Sequence, residues 1–151
     1  MLRPFAVALA NRISSYGVDA ICGPLTGGAL LASMIADRLE LEFLFAERRV
    51  SGRAGLFPVD YRIATALRNQ ATGRRVAIVD DAVSAGSAVR ATYADLVALG
   101  GVPVVIGALL AMGPGAATFA AEKGIPLNDW PTSPPRFGRP PNARCARLAH
   151  H

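Results

Sequence analysis

Two periods of apolar residues alternate along this chain. From Arg3 to Tyr16 apolar positions recur at helical spacing and stop at Gly17, which predicts a first amphipathic helix. Val18 to Cys22 reads as a short buried strand, and "PLTGG", Pro24 to Gly28, as a loop. Leu30, Leu31, Met34, Ile35 and Leu39 predict a second helix. "EFLFAE", Glu42 to Glu47, predicts a second strand. "RRVSGRAG" follows it as a polar, glycine-bearing loop, and "LFPVDYRI" as an extended segment. Val76 to Val79 is apolar throughout, the pattern of a central parallel strand covered on both faces. Ala88 to Leu99 predicts a helix closed by Gly100 and Gly101, "PVVIGALLAM" another buried strand, and 116–123 a last helix. Six prolines fall in the sixteen residues from Pro126 to Pro141. Residues 1–125 therefore read as the core, and 126–151 as a Pro/Arg-rich tail, either an ordered wrap or a flexible extension.

Alternating strands and helices define the α/β class, with a mainly parallel central sheet flanked by helices in a Rossmann-like three-layer core. Ligands of such sheets bind beyond the carboxyl ends of the strands. "CGPLTGG", "AERRVSGR", "VDDAVSAGS" and "AMGPG" each follow a strand, so these four loops are expected at one end of the sheet as the candidate site.

Composition narrows this picture. With 151 residues, 52% hydrophobic and 18% charged, the chain has the balance of one globular domain. No apolar run approaches a membrane span. The N-terminal stretch fits an amphipathic helix better than a signal peptide. Cys22 and Cys145 form no metal or redox pattern, and a reduced, cytoplasmic setting is expected. The net charge is +5, with Lys123 the only lysine. Arg136, Arg139, Arg144 and Arg147 against Asp129 place much of that charge in the tail. No aromatic-interleaved basic stripe accompanies them, so a solvated tail is preferred to a nucleic-acid surface. His150 and His151 end the chain and resemble the remnant of a purification tag.

The chemistry concentrates in "VAIVDDAVSAGSA", Val76 to Ala88. Asp80 and Asp81 are adjacent carboxylates at the end of a buried strand, where repulsion and desolvation disfavour them unless something binds. Vicinal ribose hydroxyls, or a metal with its waters, would use them. The ordinary explanation is one side chain in solvent and the other capping a turn. Ser84, Ala85, Gly86, Ser87 and Ala88 are all small, so backbone N–H groups and a helix N-terminus can converge on an anion there. A serine-capped helix explains one serine but not the acids. A diol grip a few residues from a phosphate cradle suits a ribose 5-phosphate. Rival motifs fail. A dinucleotide fingerprint has its glycines before its acid. A P-loop needs Gly-Lys-Ser/Thr. A serine-hydrolase elbow needs a histidine, and both histidines here are terminal.

That stretch resembles the phosphoribosyl pyrophosphate (PRPP) motif of type I phosphoribosyltransferases, and the resemblance covers most of residues 3–125. "DAICGPLTGGALLASMIADRLELEFLFAER" is similar to the corresponding segment of orotate phosphoribosyltransferases. The resemblance implies transfer of the phosphoribosyl group of PRPP to a nucleobase, orotate first, in pyrimidine biosynthesis. It implies Mg²⁺ as cofactor and a homodimer. It places Asp80 and Asp81 at the ribose hydroxyls and, indirectly through pyrophosphate, at the metal. It places Ser84 to Ala88 at the 5-phosphate, and Pro24, Leu25, Thr26, Gly27 and Gly28 at the pyrophosphate. That last loop often holds a non-proline cis peptide in this family. Arg48, Arg49 and Arg53 begin the family's mobile catalytic loop.

The chain departs from the orotate pattern in three places. Those enzymes carry an N-terminal hood, whereas here Arg3 already lies in the first core helix. They have an Asp-Arg pair after the strand that follows the PRPP helix, and here that strand ends "AMGPG", Ala111 to Gly115. Their mobile loop often carries a lysine, and here it has only arginines, which are not interchangeable with lysine. Two alternatives therefore remain: a PRPP-binding regulatory protein without transfer, or a transferase for another base. A signalling receiver domain also sets acids after a central strand, but Lys123 is in the wrong context for it.

Overall fold

The structure, a computed structural model, describes residues 3–50 and 59–129. Six strands form one sheet in the order β3-β2-β1-β4-β5-β6. They are β1 (Ala20–Pro24), β2 (Glu42–Val50), β3 (Val59–Ile63), β4 (Arg75–Val83), β5 (Val102–Ala111) and β6 (Leu127–Asp129). All pairings are parallel except β2 with β3. The helices are α1 (Arg3–Ile13), α2 (Gly27–Leu39), α3 (Ser87–Ala98) and α4 (Gly115–Lys123). A 3-10 turn, Ser14–Tyr16, extends α1 to Gly17.

The apolar strands earn their burial on both faces. Along β4, Val76 and Ile78 pack with Val89 and Leu96 of α3 and Phe119 of α4. Ala77 and Val79 turn to the other face, against Ile13 of α1 and Leu31 and Ile35 of α2. Each helix buries one stripe, such as Ala6, Leu9, Ala10 and Ile13 of α1.

Three expectations are revised. Arg48 and Arg49 lie in β2, not in a loop, because β3 returns antiparallel beside them, with Arg48 opposite Tyr61 and Arg49 opposite Asp60. Strand β4 does not stop at Val79. It runs through both aspartates to Val83, held by β5, with Ala82 opposite Leu110 and Val83 opposite Ala111. Leu127 to Asp129, read as part of the tail, form buried strand β6 beside β5. Arg53, Cys145, the tail arginines and the terminal histidines lie outside the described residues. No helix among the described residues is long and apolar enough to cross a membrane.

Candidate active site

Parallel pairing of β1, β2, β4 and β5 brings the carboxyl ends of all four strands to one end of the sheet. A crevice of about 450 Å³ opens at the other end, lined by Asp19, Glu40, Leu41, Glu42, Phe43 and Arg74, and holds none of the motif residues.

The loop after β1 is the most constrained part of the site. The Leu25–Thr26 peptide bond is cis, as the resemblance led one to expect. Leu25 N–H donates to Ala46 O of β2 at 2.9 Å, so the loop is tied to the neighbouring strand. Gly27 and Gly28 then open α2 directly under the acids. A side chain on Gly27 would occupy the space of the Asp81 carboxylate. A Cβ on Gly28 would lie 2.8 Å from Asp80 Oδ1 and 2.9 Å from Val79 O. Only bare backbone lets these two segments meet.

Asp80 and Asp81 differ sharply. Asp80 is 9% exposed, whereas Asp81 is open to solvent. Asp80 Oδ1 accepts from Asp81 N–H at 2.9 Å, and Asp81 Oδ1 accepts from Ala82 N–H at 2.9 Å. Burial raises the Asp80 carboxyl to about 7, and the hydrogen bond and charge of Asp81 add to the rise. A backbone N–H from Asp81 opposes it without overcoming it. Near neutrality Asp80 can therefore hold a proton.

Beyond Val83 the small-residue turn leads into α3. Gly86, at φ +87°, stands in the left-handed region that glycine tolerates. Arg90 N–H makes the first helical bond, to Gly86 O at 2.8 Å. The opening N–H groups of α3 lack intrahelical acceptors, as at any helix start, and no side chain caps them. Ser84 and Ser87 are exposed beside them. This turn can take an anion through backbone donors and the helix dipole.

Two contributors were not singled out from the sequence. Gly115, at the start of α4, backs the turn: a side chain there would overlap Ser84 O, with Ala85 O 2.9 Å away. Arg90 lies over the Phe119 ring at 4.7 Å and reaches Glu122 Oε2 at 3.2 Å, so it fastens α4 to α3. The "PG" of "AMGPG" was the available signal for the first. The second joins residues 29 or more apart in sequence, and no local pattern reports it. Leu110 and Met112 stand half exposed where β5 ends.

This geometry defines a class. The chain belongs to the phosphoribosyl transferase domain family, whose model matches residues 4–130. It is 29% identical over 126 residues to an orotate phosphoribosyltransferase of Caldanaerobacter subterraneus subsp. tengcongensis, covering 82% of this chain and 58% of that relative. It is 32% identical over 114 residues to one of Desulforamulus reducens, covering 76% and 55%. The chain thus spans less than three fifths of the length of these curated relatives. Its fold is shared with the orotate phosphoribosyltransferase of Aeropyrum pernix, at TM-score 0.64 and 24% identity over 83% of this chain and 68% of that one. The adenine phosphoribosyltransferase of Thermoanaerobacter pseudethanolicus is as similar, at TM-score 0.67 and 21% identity over 82% and 75%.

Proposed function

We propose that this chain transfers the 5-phosphoribosyl group of PRPP to a nucleobase, releasing pyrophosphate. The observation that carries this reading is the approach of Gly27 and Gly28 to Asp81 and Asp80, with the α3 turn continuing from the same strand. Acids, bare backbone and an uncapped helix start meet the diol, the pyrophosphate and the 5-phosphate of one donor.

In this reading the turn from Ser84 to Ala88 holds the 5-phosphate through backbone N–H groups. Asp80 and Asp81 hold the ribose hydroxyls and stabilise the cationic sugar as the bond from C1 to pyrophosphate breaks. The electron pair of that bond leaves with pyrophosphate, against the 24–28 loop and Arg48 and Arg49. A base nitrogen then bonds to C1 and gives up its proton. No covalent nucleophile on the protein is needed. Mg²⁺ fits the donor set: among the described residues no group of three or more His, Cys, Asp or Glu could cage a metal, and two adjacent carboxylates suit an ion that keeps substrate oxygens and waters. Asp80 and Asp81 would hold it indirectly, through pyrophosphate, and it would offset pyrophosphate charge. Orotate is the first candidate acceptor, because the curated relatives carry that name. A cytoplasmic homodimer in pyrimidine synthesis completes the proposal.

A second reading is a PRPP-binding regulatory protein, favoured by "AMGPG" standing where the orotate pattern has Asp-Arg. Pyrophosphate release from PRPP and Mg²⁺, measured over a panel of pyrimidines and purines, separates the two. Release with one base supports transfer. Tight PRPP binding with no release across the panel supports the regulatory reading, and no binding of PRPP rejects both.

A further inference from the structure

Asp95 lies two turns into α3 and is 5% exposed, yet the chemistry above makes no use of it. Its Oδ2 accepts from Ile63 N–H at 2.7 Å and from Arg68 Nη1 at 2.9 Å. Its Oδ1 accepts from Arg68 Nη2 at 3.3 Å and faces Arg62 Nη1 at 3.7 Å. Arg68 thus grips it with two nitrogens, the geometry in which a buried carboxylate is best compensated.

The position of Ile63 gives this contact its reach. Strand β3 is at the edge of the sheet, and Ile63 stands opposite Ala46 of β2. Ala64 N–H turns inward to Phe45 O at 3.1 Å, while Ile63 N–H turns outward to Asp95. Ala46 O in turn accepts from Leu25 N–H in the loop after β1. A continuous series of bonds therefore runs from α3 through β3 and β2 to the cis peptide loop. Arg48 and Arg49 lie on β2 just beyond it. The far end of α3 is the small-residue turn itself.

We infer that Asp95 is a positioning residue for the pyrophosphate half of the site. It fixes the β2–β3 hairpin, and with it Arg48, Arg49 and the 24–28 loop, to the helix that begins at the 5-phosphate turn. This rests on the reading above that those residues take the pyrophosphate. A fold-stabilising carboxylate and a positioning one differ in what they do to two ligands. The turn of Ser84 to Ala88 belongs to α3 and β4 and stays in place when the hairpin shifts. The hairpin side does not.

The test is calorimetric titration of the full chain with pyrophosphate plus Mg²⁺ and, separately, with ribose 5-phosphate, for the wild type, Asp95→Asn and Arg68→Lys. Asp95→Asn is expected to weaken pyrophosphate binding about tenfold and leave ribose 5-phosphate within twofold, with a smaller split of the same sign for Arg68→Lys. If Asp95→Asn does not fold, the Arg68→Lys split decides. Equal weakening of both ligands, or unchanged binding of both with only a lower Tm, overturns the inference. Wild-type chain that binds pyrophosphate and shows the split but transfers to no base would remove the enzyme reading and leave the positioning role standing. A wild type that binds neither ligand removes both.

Discussion

Asp80 and Asp95 are both buried carboxylates, and the regions around them are opposites. At the sheet edge, Asp95 meets a bidentate guanidinium, a second arginine and a backbone N–H. At the carboxyl end, Asp80 has the neighbouring N–H of Asp81 and the Asp81 carboxylate. The first is compensated within the fold. The second is left with a carboxyl raised to about 7, which a cationic or hydroxylic ligand would relieve. Burial alone therefore does not mark a functional acid. The supply of partners does.

The contrast can be broken most directly with pH. The Asp80 carboxyl sits above its ordinary value of 3.8, so the folded chain holds a proton that the unfolded chain has released. Its stabilising contribution is full below about pH 4 and is lost as pH rises through 7, a change of up to ~4 kcal/mol. Urea midpoints of wild type and Asp80→Asn should diverge across that window, with the wild type declining relative to the variant. Parallel curves would show that Asp80 is compensated after all. Next, Asp95→Ala should cost ~3 kcal/mol in denaturant unfolding, because Arg68 and the Ile63 N–H lose their buried carboxylate. A cost within 0.5 kcal/mol would erase the difference between the regions. On the functional side, Asp81→Asn should lower pyrophosphate release on the order of 100-fold while leaving Tm within about 2 °C. Gly115→Ala should weaken ribose 5-phosphate binding about tenfold by pushing on Ser84 O and Ala85 O. The smallest effect belongs to Gly73→Ala. That residue has φ +74° with nothing within 4 Å of a Cβ, so ~1 kcal/mol of stability should go with ligand binding unchanged.

What was legible in the sequence follows the range of the interactions. Helix and strand periods are local, so β1, β5 and the four helices are visible with ends displaced by a few residues, whereas β4 is visible only as far as Val79, four residues short of its end. The acids, "TGG" and "SAGSA" are visible because their chemistry is contiguous. Strand β2 hid its last residues because Arg48 and Arg49 look like loop, and their strand character comes from pairing with Tyr61 and Asp60. Asp95 reads as one more polar residue on a helix, because its partners are 27 and 32 residues away. Gly115 reads as turn punctuation until Ser84 is seen against it. The missing part of the reading lay in contacts between distant segments.

The Asp95 contact also bears on how molecules of this chain meet one another. An edge strand offers its outward N–H groups to any extended segment that drifts alongside, which is how sheets grow into aggregates. At β3 the outward N–H of Ile63 is already taken by Asp95, with Arg62 and Arg68 clustered around it. At the opposite edge β6 is three residues long and buried, with Asn128 Nδ2 donating to Tyr16 Oη at 3.1 Å. Among the described residues, one margin of the sheet therefore has its outward Ile63 N–H already engaged and the other is a strand of only three residues, which leaves a second molecule less to pair with.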